Sequence, residues 1–303
     1  MVQHTPAQPR VRGALILGAL TATALGIAAV ESVPTANATC ASFFGLGSGG
    51  QCTSTITSIA IAIGENAEAH ADGLLGAALT LGSNSVATTF SGSLFNLAAT
   101  LGNNNGSFAG GIGSLALVAN GINQVVLAGE SPTSGDFGNI AASFGAPEGG
   151  DTIAKGVGNI SVNLFGSGDL DGNGVGLSTF NVVGLSNSLT NRGVLNNITN
   201  LSGNNNTITN DIGDGGIGNL AFNAIGSDNT IRTSGTVAIA GALGSTGQTV
   251  TQDGFGINVA VGRSGAQAAA AKSAAAGLTA AAASADNTKK SAPSRNRGKR
   301  AGR

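Results

Sequence analysis

The chain has 303 residues, a net charge of −1, 50 glycines, and neither tyrosine nor tryptophan. It contains only two histidines and two cysteines, so metal sites and catalytic triads that draw on these side chains have few residues to use. Once the N-terminal segment is removed, a Ser-His-Asp triad would depend on His70 alone. We therefore predict a protein without a cofactor and without enzymatic activity.

Residues 1–38 have the order of charge and hydrophobicity that is typical of a signal peptide. Arg10 and Arg12 precede an uncharged apolar stretch over 13–30, and the small residues of "ANA" follow at 36–38. Signal peptidases cut after such small residues. The alternative is a retained membrane anchor, because a stretch of about 18 apolar residues can span a bilayer. We predict cleavage, and a protein that is secreted or associated with the cell envelope.

Residues 39–57 contain both cysteines, Cys40 and Cys52. Two cysteines in an exported chain predict a disulfide. The loop between them carries Phe43 and Phe44 among glycines. We expect a disulfide-closed N-terminal cap with an aromatic tip.

Residues 58–262 repeat one pattern, in which a short apolar run is followed by a glycine and by an Asn- or Asp-rich turn. The period is 18 to 24 residues, which gives about eleven copies, and such a period is typical of a solenoid. The residue before the glycine is large and apolar in most copies, as in Ile63 and Leu81, so we expect it to point into a core. The repeating glycines are residues 64, 82, 102, 121, 145, 166, 184, 203, 226, 244 and 262.

Asparagine stands three residues before the glycine in four consecutive copies, at Asn163, Asn181, Asn200 and Asn223. Identical amides stacked at the spacing of β-strands can hydrogen-bond to one another in a ladder. The flanking apolar residues alternate with a period of two, and glycine and asparagine at this density disfavour helices. We predict an all-β fold, a β-solenoid of the β-helix or β-roll type. The alternative is a disordered low-complexity chain.

The sharpest local motif in the repeats is "DLDGNG" at 169–174. Asp169, Asp171 and Asn173 alternate as in the first half of a calcium loop, but the twelfth position holds Phe180 where a bidentate glutamate is needed. We therefore favour a plain Asp/Gly turn, with calcium binding as the alternative. Thr-X-Thr pairs occur at 207/209 and 249/251, and two such pairs are too few to predict a regular threonine face.

Charge divides the chain after the repeats. Residues 53–262 hold 13 acidic and three basic side chains, whereas the segment from 263 onward is strongly basic. Residues 263–286 are rich in alanine and predict a helix, and residues 287–303 predict a disordered basic tail. The tail is a candidate electrostatic tether to anionic cell-wall polymer or lipid, and nucleic acid is not the expected partner. Its cationic side chains are Lys289, Lys290, Arg295, Arg297, Lys299, Arg300 and Arg303.

Three resemblances to known proteins point outside the cell. "SIAIAIGENAEAHADG" at 58–73 resembles the head repeat of trimeric autotransporter adhesins, and "FNAIGSDNTI" at 222–231 is similar to curlin repeats, although asparagine stands near the place of the curlin glutamine. The whole chain, from "CASFFGLGSGGQCTSTITSIAIAIG" onward, resembles exported Gly-, Ala- and Asn-rich proteins of mycobacteria. These resemblances imply a β-roll or fibre-like fold at a cell surface.

These observations favour a non-enzymatic repeat protein with a structural or adhesive role at the cell envelope or in the extracellular space. Two alternatives from other classes remain. One is a carbohydrate-active β-helix enzyme, which a cleft with two carboxylates would favour. The other is a subunit of an amyloid-like surface fibre, which an uncovered terminal strand would favour. Self-association also stays open.

Overall fold

A computed structural model describes residues 39–48, 50–130, 135–210 and 216–262, and every regular element in that part of the chain is a β-strand. The first twelve strands are β1 (Thr39–Phe43), β2 (Leu46–Ser48), β3 (Cys52–Ser54), β4 (Ile59–Ile63), β5 (Glu68–Ala71), β6 (Ala77–Leu81), β7 (Val86–Thr89), β8 (Leu97–Asn103), β9 (Gly106–Ala109), β10 (Leu115–Ile122), β11 (Gln124–Ala128) and β12 (Ile140–Phe144). The remainder are β13 (Gly150–Val157), β14 (Ile160–Leu164), β15 (Gly166–Val175), β16 (Ser178–Val194), β17 (Asn197–Ser202), β18 (Thr207–Asn210), β19 (Leu220–Asn223), β20 (Thr230–Ser234), β21 (Ala238–Leu243), β22 (Thr249–Asp253) and β23 (Gly256–Val261).

The strands form two parallel sheets that the chain visits in alternation. Sheet A contains β4, β6, β8, β10, β12, β14, the start of β16, β17, β19, β21 and β23, and sheet B contains β3, β5, β7, β9, β11, β13, β15, the end of β16, β18, β20 and β22. Each turn of the coil therefore contributes one strand to each sheet. The predicted all-β solenoid of about eleven turns is confirmed.

The N-terminal end of the coil is closed by a hairpin and a disulfide. Strand β1 runs antiparallel to β4 and to β2, with Phe44 and Gly45 as the two turn residues at positive φ. The Phe44 side chain is exposed, as expected of an aromatic tip. Cys40 on β1 is bonded to Cys52 on β3, with a Cα–Cα distance of 5.6 Å, so the disulfide joins sheet A to sheet B across the end of the core. The predicted disulfide is confirmed.

The core of the coil is built from small side chains. In the first half, alanines from both sheets fill it, including Ala60, Ala69 and Ala116, all fully buried. In the second half, sheet B contributes larger residues such as Leu189 and Ile208, and sheet A contributes Ile198, alanines and asparagines. Two sheets joined by turns of only about twenty residues leave a narrow space between them, which alanine, serine, threonine and asparagine fit.

The prediction that the residue before each repeating glycine points into the core is wrong. Ile63 is 39% exposed, Phe165 65% and Ile225 65%. These residues lie on the outer face of sheet A at the ends of its strands, or on the corner that follows. The small residues that alternate with the large ones, such as Ala62, face inward. The two-residue alternation was correct, but its phase was opposite to the one expected.

Most of the repeating glycines lie where consecutive turns stack backbone on backbone. Gly203 has φ of 139°, and a Cβ atom placed on it would lie 1.7 Å from the carbonyl oxygen of Gly226 on the next turn. Only glycine fits there. The second residue after the glycine takes the left-handed conformation in several turns, as at Asn84 and Asn205. The turn composition predicted this.

The predicted signal peptide (1–38), Ala-rich helix (263–286) and basic tail (287–303) lie outside the described residues. The last described strand, β23, pairs with β21 on one side. Its side chains Ile257 and Val261 are 72% and 55% exposed. Within the described part of the chain no strand follows it.

Candidate functional surfaces

The predicted asparagine ladder lies in the core of sheet A. The amide nitrogen of Asn181 donates to the Asn163 oxygen at 2.9 Å, Asn200 donates to Asn181 at 2.7 Å, and Asn223 donates to Asn200 at 2.7 Å. All four side chains are fully buried. Each inner member therefore both donates to one neighbour and accepts from the other, which satisfies polar atoms that water cannot reach.

A second ladder of asparagines runs beside the first, and the sequence predicted turns at these residues. The side chains of Asn187, Asn206 and Asn229 are buried. Asn206 Nδ2 donates to Asn200 at 3.4 Å, and Asn229 Nδ2 donates to Asn223 at 3.0 Å. Their own oxygens accept backbone N–H groups of the next turn, as when Asn229 N donates to Asn206 Oδ1 at 3.0 Å. The available signal was an asparagine six residues after the first ladder in three of its four copies, such as Asn206 at the end of "GNNN" (203–206).

The calcium candidates lie in a strand and not in a turn or a loop. Asp169, Asp171 and Asn173 all point outward from β15 in sheet B, and alternate residues of a strand are about 7 Å apart. Asp171 lies 3.7 Å from the guanidinium of Arg192. The predicted Asp/Gly turn is therefore wrong, and the three side chains do not curl around one point as in a calcium loop. Calcium binding was not the favoured interpretation, and it stays untested.

Two carboxylates are neighbours on this part of sheet B. The Asp151 backbone N–H donates to the Asp169 carboxylate at 3.3 Å. Although Asp151 is exposed as a residue, partial burial of its carboxyl raises its pKa above 3.8, and the adjacent Asp169 charge raises it further. The pair lies on the flat outer surface of a sheet, not in a cleft.

His70 lies on the outer face of sheet B near the N-terminal end. Its Nδ1 is 2.9 Å from the Thr53 hydroxyl, and its Nε2 is 3.4 Å from a Glu68 carboxylate oxygen. The hydroxyl, imidazole and carboxylate thus form a hydrogen-bonded row across neighbouring strands β3 and β5. Among the described residues, no group of three or more histidine, cysteine, aspartate and glutamate side chains is arranged to hold a metal ion.

Sheet B carries a regular array of hydroxyl groups in its C-terminal half, which we term the hydroxyl face. The outward residues of β16, β18, β20 and β22 pair in register across four successive strands. Arg232 occupies one place in the array. Two Thr-X-Thr pairs were too few to predict this face, because Ser188, Thr190 and Thr230 extend it from strands with other motifs. Its hydroxyl residues are Ser188, Thr190, Thr207, Thr209, Thr230, Thr249 and Thr251.

Sheet A presents an opposite chemistry on its outside, which we term the apolar face. Each sheet A strand from β4 to β23 places three residues there, or two in β19, and in-register pairing stacks them in columns. None of these outward residues is charged. Only Ser178, Asn197, Thr199 and Gly241 are not alanine, valine, leucine, isoleucine or phenylalanine.

A shallow groove of about 460 Å³ borders the apolar face near the N-terminal end. Leu74, Leu94 and Ile112, which bridge consecutive turns at the corner between the sheets, line part of it. The groove is mainly apolar, with Asp72 as its charged residue. It extends the exposed hydrophobic surface around the corner.

The predicted tether, Lys289 to Arg303, lies outside the described residues, as does the segment with the predicted signal peptide. None of the described residues forms a helix of the length and hydrophobicity that a membrane crossing requires. The disulfide indicates an oxidising, extracytoplasmic environment, because such bonds persist there. The chain matches no protein-family model, no curated protein and no solved structure, so the resemblances given above stay predictions.

Proposed function

We propose that this chain is an exported, non-enzymatic repeat protein with a structural or adhesive role at the cell envelope or in the extracellular space. The observation that carries the proposal is the in-register stacking of strands along the coil. Buried asparagine ladders and a terminal disulfide hold consecutive turns in register. Outward side chains are consequently displayed in long rows, which suits extended contact with a polymer or another protein.

The hydroxyl face is the proposed adhesive surface. Strands 4.8 Å apart, with alternate residues about 7 Å apart, give a lattice of hydroxyl groups of fixed spacing. Each hydroxyl both donates and accepts, so the lattice suits a polyhydroxyl polymer such as an envelope polysaccharide. Single contacts of this kind are weak, but repeating them over several turns of the coil raises the overall affinity.

Binding to isolated cell envelopes tests the adhesive role. Replacing Thr209 and Thr251 together by alanine should reduce binding at least several-fold while leaving the melting temperature within a few degrees. Thr88→Ala, on the same side of sheet B but outside the array, is the matched control and should bind like the wild type. Equal binding by all three proteins would remove the hydroxyl face from the proposal.

The location is tested by fractionation and mass spectrometry of the mature N-terminus. Export with cleavage predicts a chain that begins at Thr39 and contains the Cys40–Cys52 disulfide. Recovery of intact residues 1–38 in the envelope fraction would identify a membrane anchor instead. A chain found only in the cytoplasm would contradict the proposal.

Deleting residues 287–303 tests the electrostatic tether. Charge attraction is screened, and the Debye length falls from about 8 Å at physiological salt to about 3 Å at 1 M. The intact protein should therefore remain on anionic vesicles or cell walls at low salt and leave them at high salt, whereas the truncated protein should bind weakly at both. Equal partitioning of the two forms would show that the tail does not tether.

Glycosidase and esterase assays on the purified protein test the enzymatic alternative. The proposal predicts no turnover above that of a His70→Ala or Asp151→Asn variant. Turnover that either substitution abolishes would favour the enzyme and contradict the proposed function.

A further inference from the structure

The apolar face is larger than the apolar patches found on the surface of an ordinary soluble monomer. About eleven strands spaced about 4.8 Å apart, each about 17 Å long, give it an area of about 850 Å². The largest apolar patch on an ordinary monomer covers about 300–600 Å². Leu97, Leu101 and Leu243 on this face are 41%, 38% and 44% exposed. From its size and its residue pattern, we infer that the apolar face is a homodimer interface, with two copies packed face to face, antiparallel, about Val162.

The area agrees with what a stable dimer needs. Two faces of about 850 Å² would bury about 1,700 Å² in total, close to the usual value of about 1,600 Å² for a specific complex. Flat sheets pack face to face at about 10 Å, with side chains interdigitating between them. A second copy supplies an apolar sheet of the same length and shape, so it covers the whole face at once.

The order of large and small residues along the central column favours the antiparallel arrangement. From β4 to β23 this column contains Val162 at its middle strand. A two-fold axis at Val162 places Ala142 opposite Phe180 of the second copy, and Ala99 opposite Phe222. Each phenylalanine therefore meets an alanine. Val162 meets its own symmetry mate.

The outer columns follow the same rule at some positions. The same axis places Ala119 opposite Leu201, and Ile140 opposite Ser178. A parallel arrangement would instead set Phe180 against Phe180 in the central column and leave alanine against alanine elsewhere. The parallel dimer would thus have clashes and voids where the antiparallel one has contacts.

Charge favours a second copy over a lipid surface. Residues 53–262 hold 13 acidic and three basic side chains, so anionic membranes would repel this part of the chain. The apolar face itself carries no charge, and carboxylates such as Asp151 and Asp169 lie on the outer side of sheet B. Two copies joined through sheet A keep these carboxylates on opposite outer surfaces.

Sedimentation velocity of the full chain as secreted tests the inference. The wild type should sediment as a dimer at micromolar concentration. Val162→Asp should raise the dissociation constant by at least about 100-fold, because a dimer would bury two unpaired carboxylates. Thr209→Asp, outward on sheet B, should leave the dimer unchanged. A monomeric or trimeric wild type would overturn the proposal, as would flotation of the wild type with phosphatidylcholine vesicles.

A residue exchange tests the register and does not depend on how well Val162→Asp folds. Ala99→Phe should weaken the dimer at least tenfold, because two phenylalanines would then oppose each other. Adding Phe222→Ala should restore most of that loss. Within one copy these positions lie six strands apart, about 29 Å, so restoration requires a contact between copies. No restoration, with both variants folded by circular dichroism, would overturn the antiparallel arrangement.

Discussion

Replacing Asn200 by aspartate perturbs the asparagine ladder at its most connected point. Asn200 Nδ2 donates to Asn181 at 2.7 Å, and its oxygen accepts from Asn223 at 2.7 Å and from Asn206 at 3.4 Å. A carboxylate can keep both accepted bonds but cannot donate, so it would bring an oxygen against the Asn181 oxygen in a fully buried site. The loss of the donated bond and the facing acceptors should cost about 1–3 kcal/mol of unfolding free energy at neutral pH.

Chemical denaturation at several pH values measures this cost. The loss should shrink at acidic pH, because a protonated carboxyl can again donate to Asn181. Asn173→Asp is the matched control, since it makes the same chemical change on the outside of sheet B, beside Lys155 and Arg192 in the register. It should change stability by no more than about 0.5 kcal/mol. Equal shifts for the two variants would refute the ladder as a source of stability.

Three further predictions follow from particular positions. Gly203→Ala should lower the unfolding free energy by more than about 3 kcal/mol in denaturant titrations, because its Cβ would overlap the Gly226 carbonyl. Gly247→Ala, with φ of 66° and no atom within 4 Å, should cost about 1–2 kcal/mol. Similar losses for the two variants would contradict the stacked corner. Asp151→Asn should raise the melting temperature at pH 7, because a carboxyl whose pKa is raised in the folded state makes that state lose stability as the pH rises. The gain should vanish below about pH 3.8, where the carboxyl is protonated in the folded and unfolded states alike. A gain that persists at pH 3 would contradict this origin. Reducing the Cys40–Cys52 disulfide should lower the unfolding free energy by about 3 kcal/mol, measured by the denaturation midpoint with and without reductant, and Cys40→Ser should behave like the reduced protein.

The repeat and the ladder could be predicted from sequence because both depend on periodic identity. Cys40 and Cys52 are the only cysteines, which left one intramolecular pairing. Asn163, Asn181, Asn200 and Asn223 recur at a fixed place in each copy, and a stacked coil turns a recurring residue into a column. Period and identity are properties of the sequence itself, so the class of fold followed from them.

The phase of the strands could not be predicted in the same way. In "IAIAI" at 59–63 both alternating residues are apolar, so hydrophobicity alone does not say which face is buried. We expected Ile63 inside because large residues usually fill cores. The interior is instead set by the distance between the two sheets, which favours alanine. Residue volume, and not polarity, decided the direction.

The acidic motif and the second ladder were misassigned for a related reason. "DLDGNG" has the composition of a turn, yet stacking against β13 and β16 holds Asp169 to Asn173 extended as part of β15. Asn206 stands among turn residues, yet its side chain is buried and bonded to the first ladder. Local composition predicts local structure, whereas in a solenoid the neighbouring turns decide the conformation.

The two halves of the coil combine these effects in different ways. Toward the N-terminus, alanine faces alanine across the core, and little apolar surface is available for burial. Toward the C-terminus, Leu189 and Ile208 share the core with Ile198 of sheet A, beside inward residues that are hydrogen-bonded asparagines. Most of the large aliphatic side chains of sheet A lie outside in both halves, although Ile198 is buried. Hydrogen bonds between turns therefore carry much of the stability of one chain, and its apolar face keeps a large hydrophobic driving force for association with another.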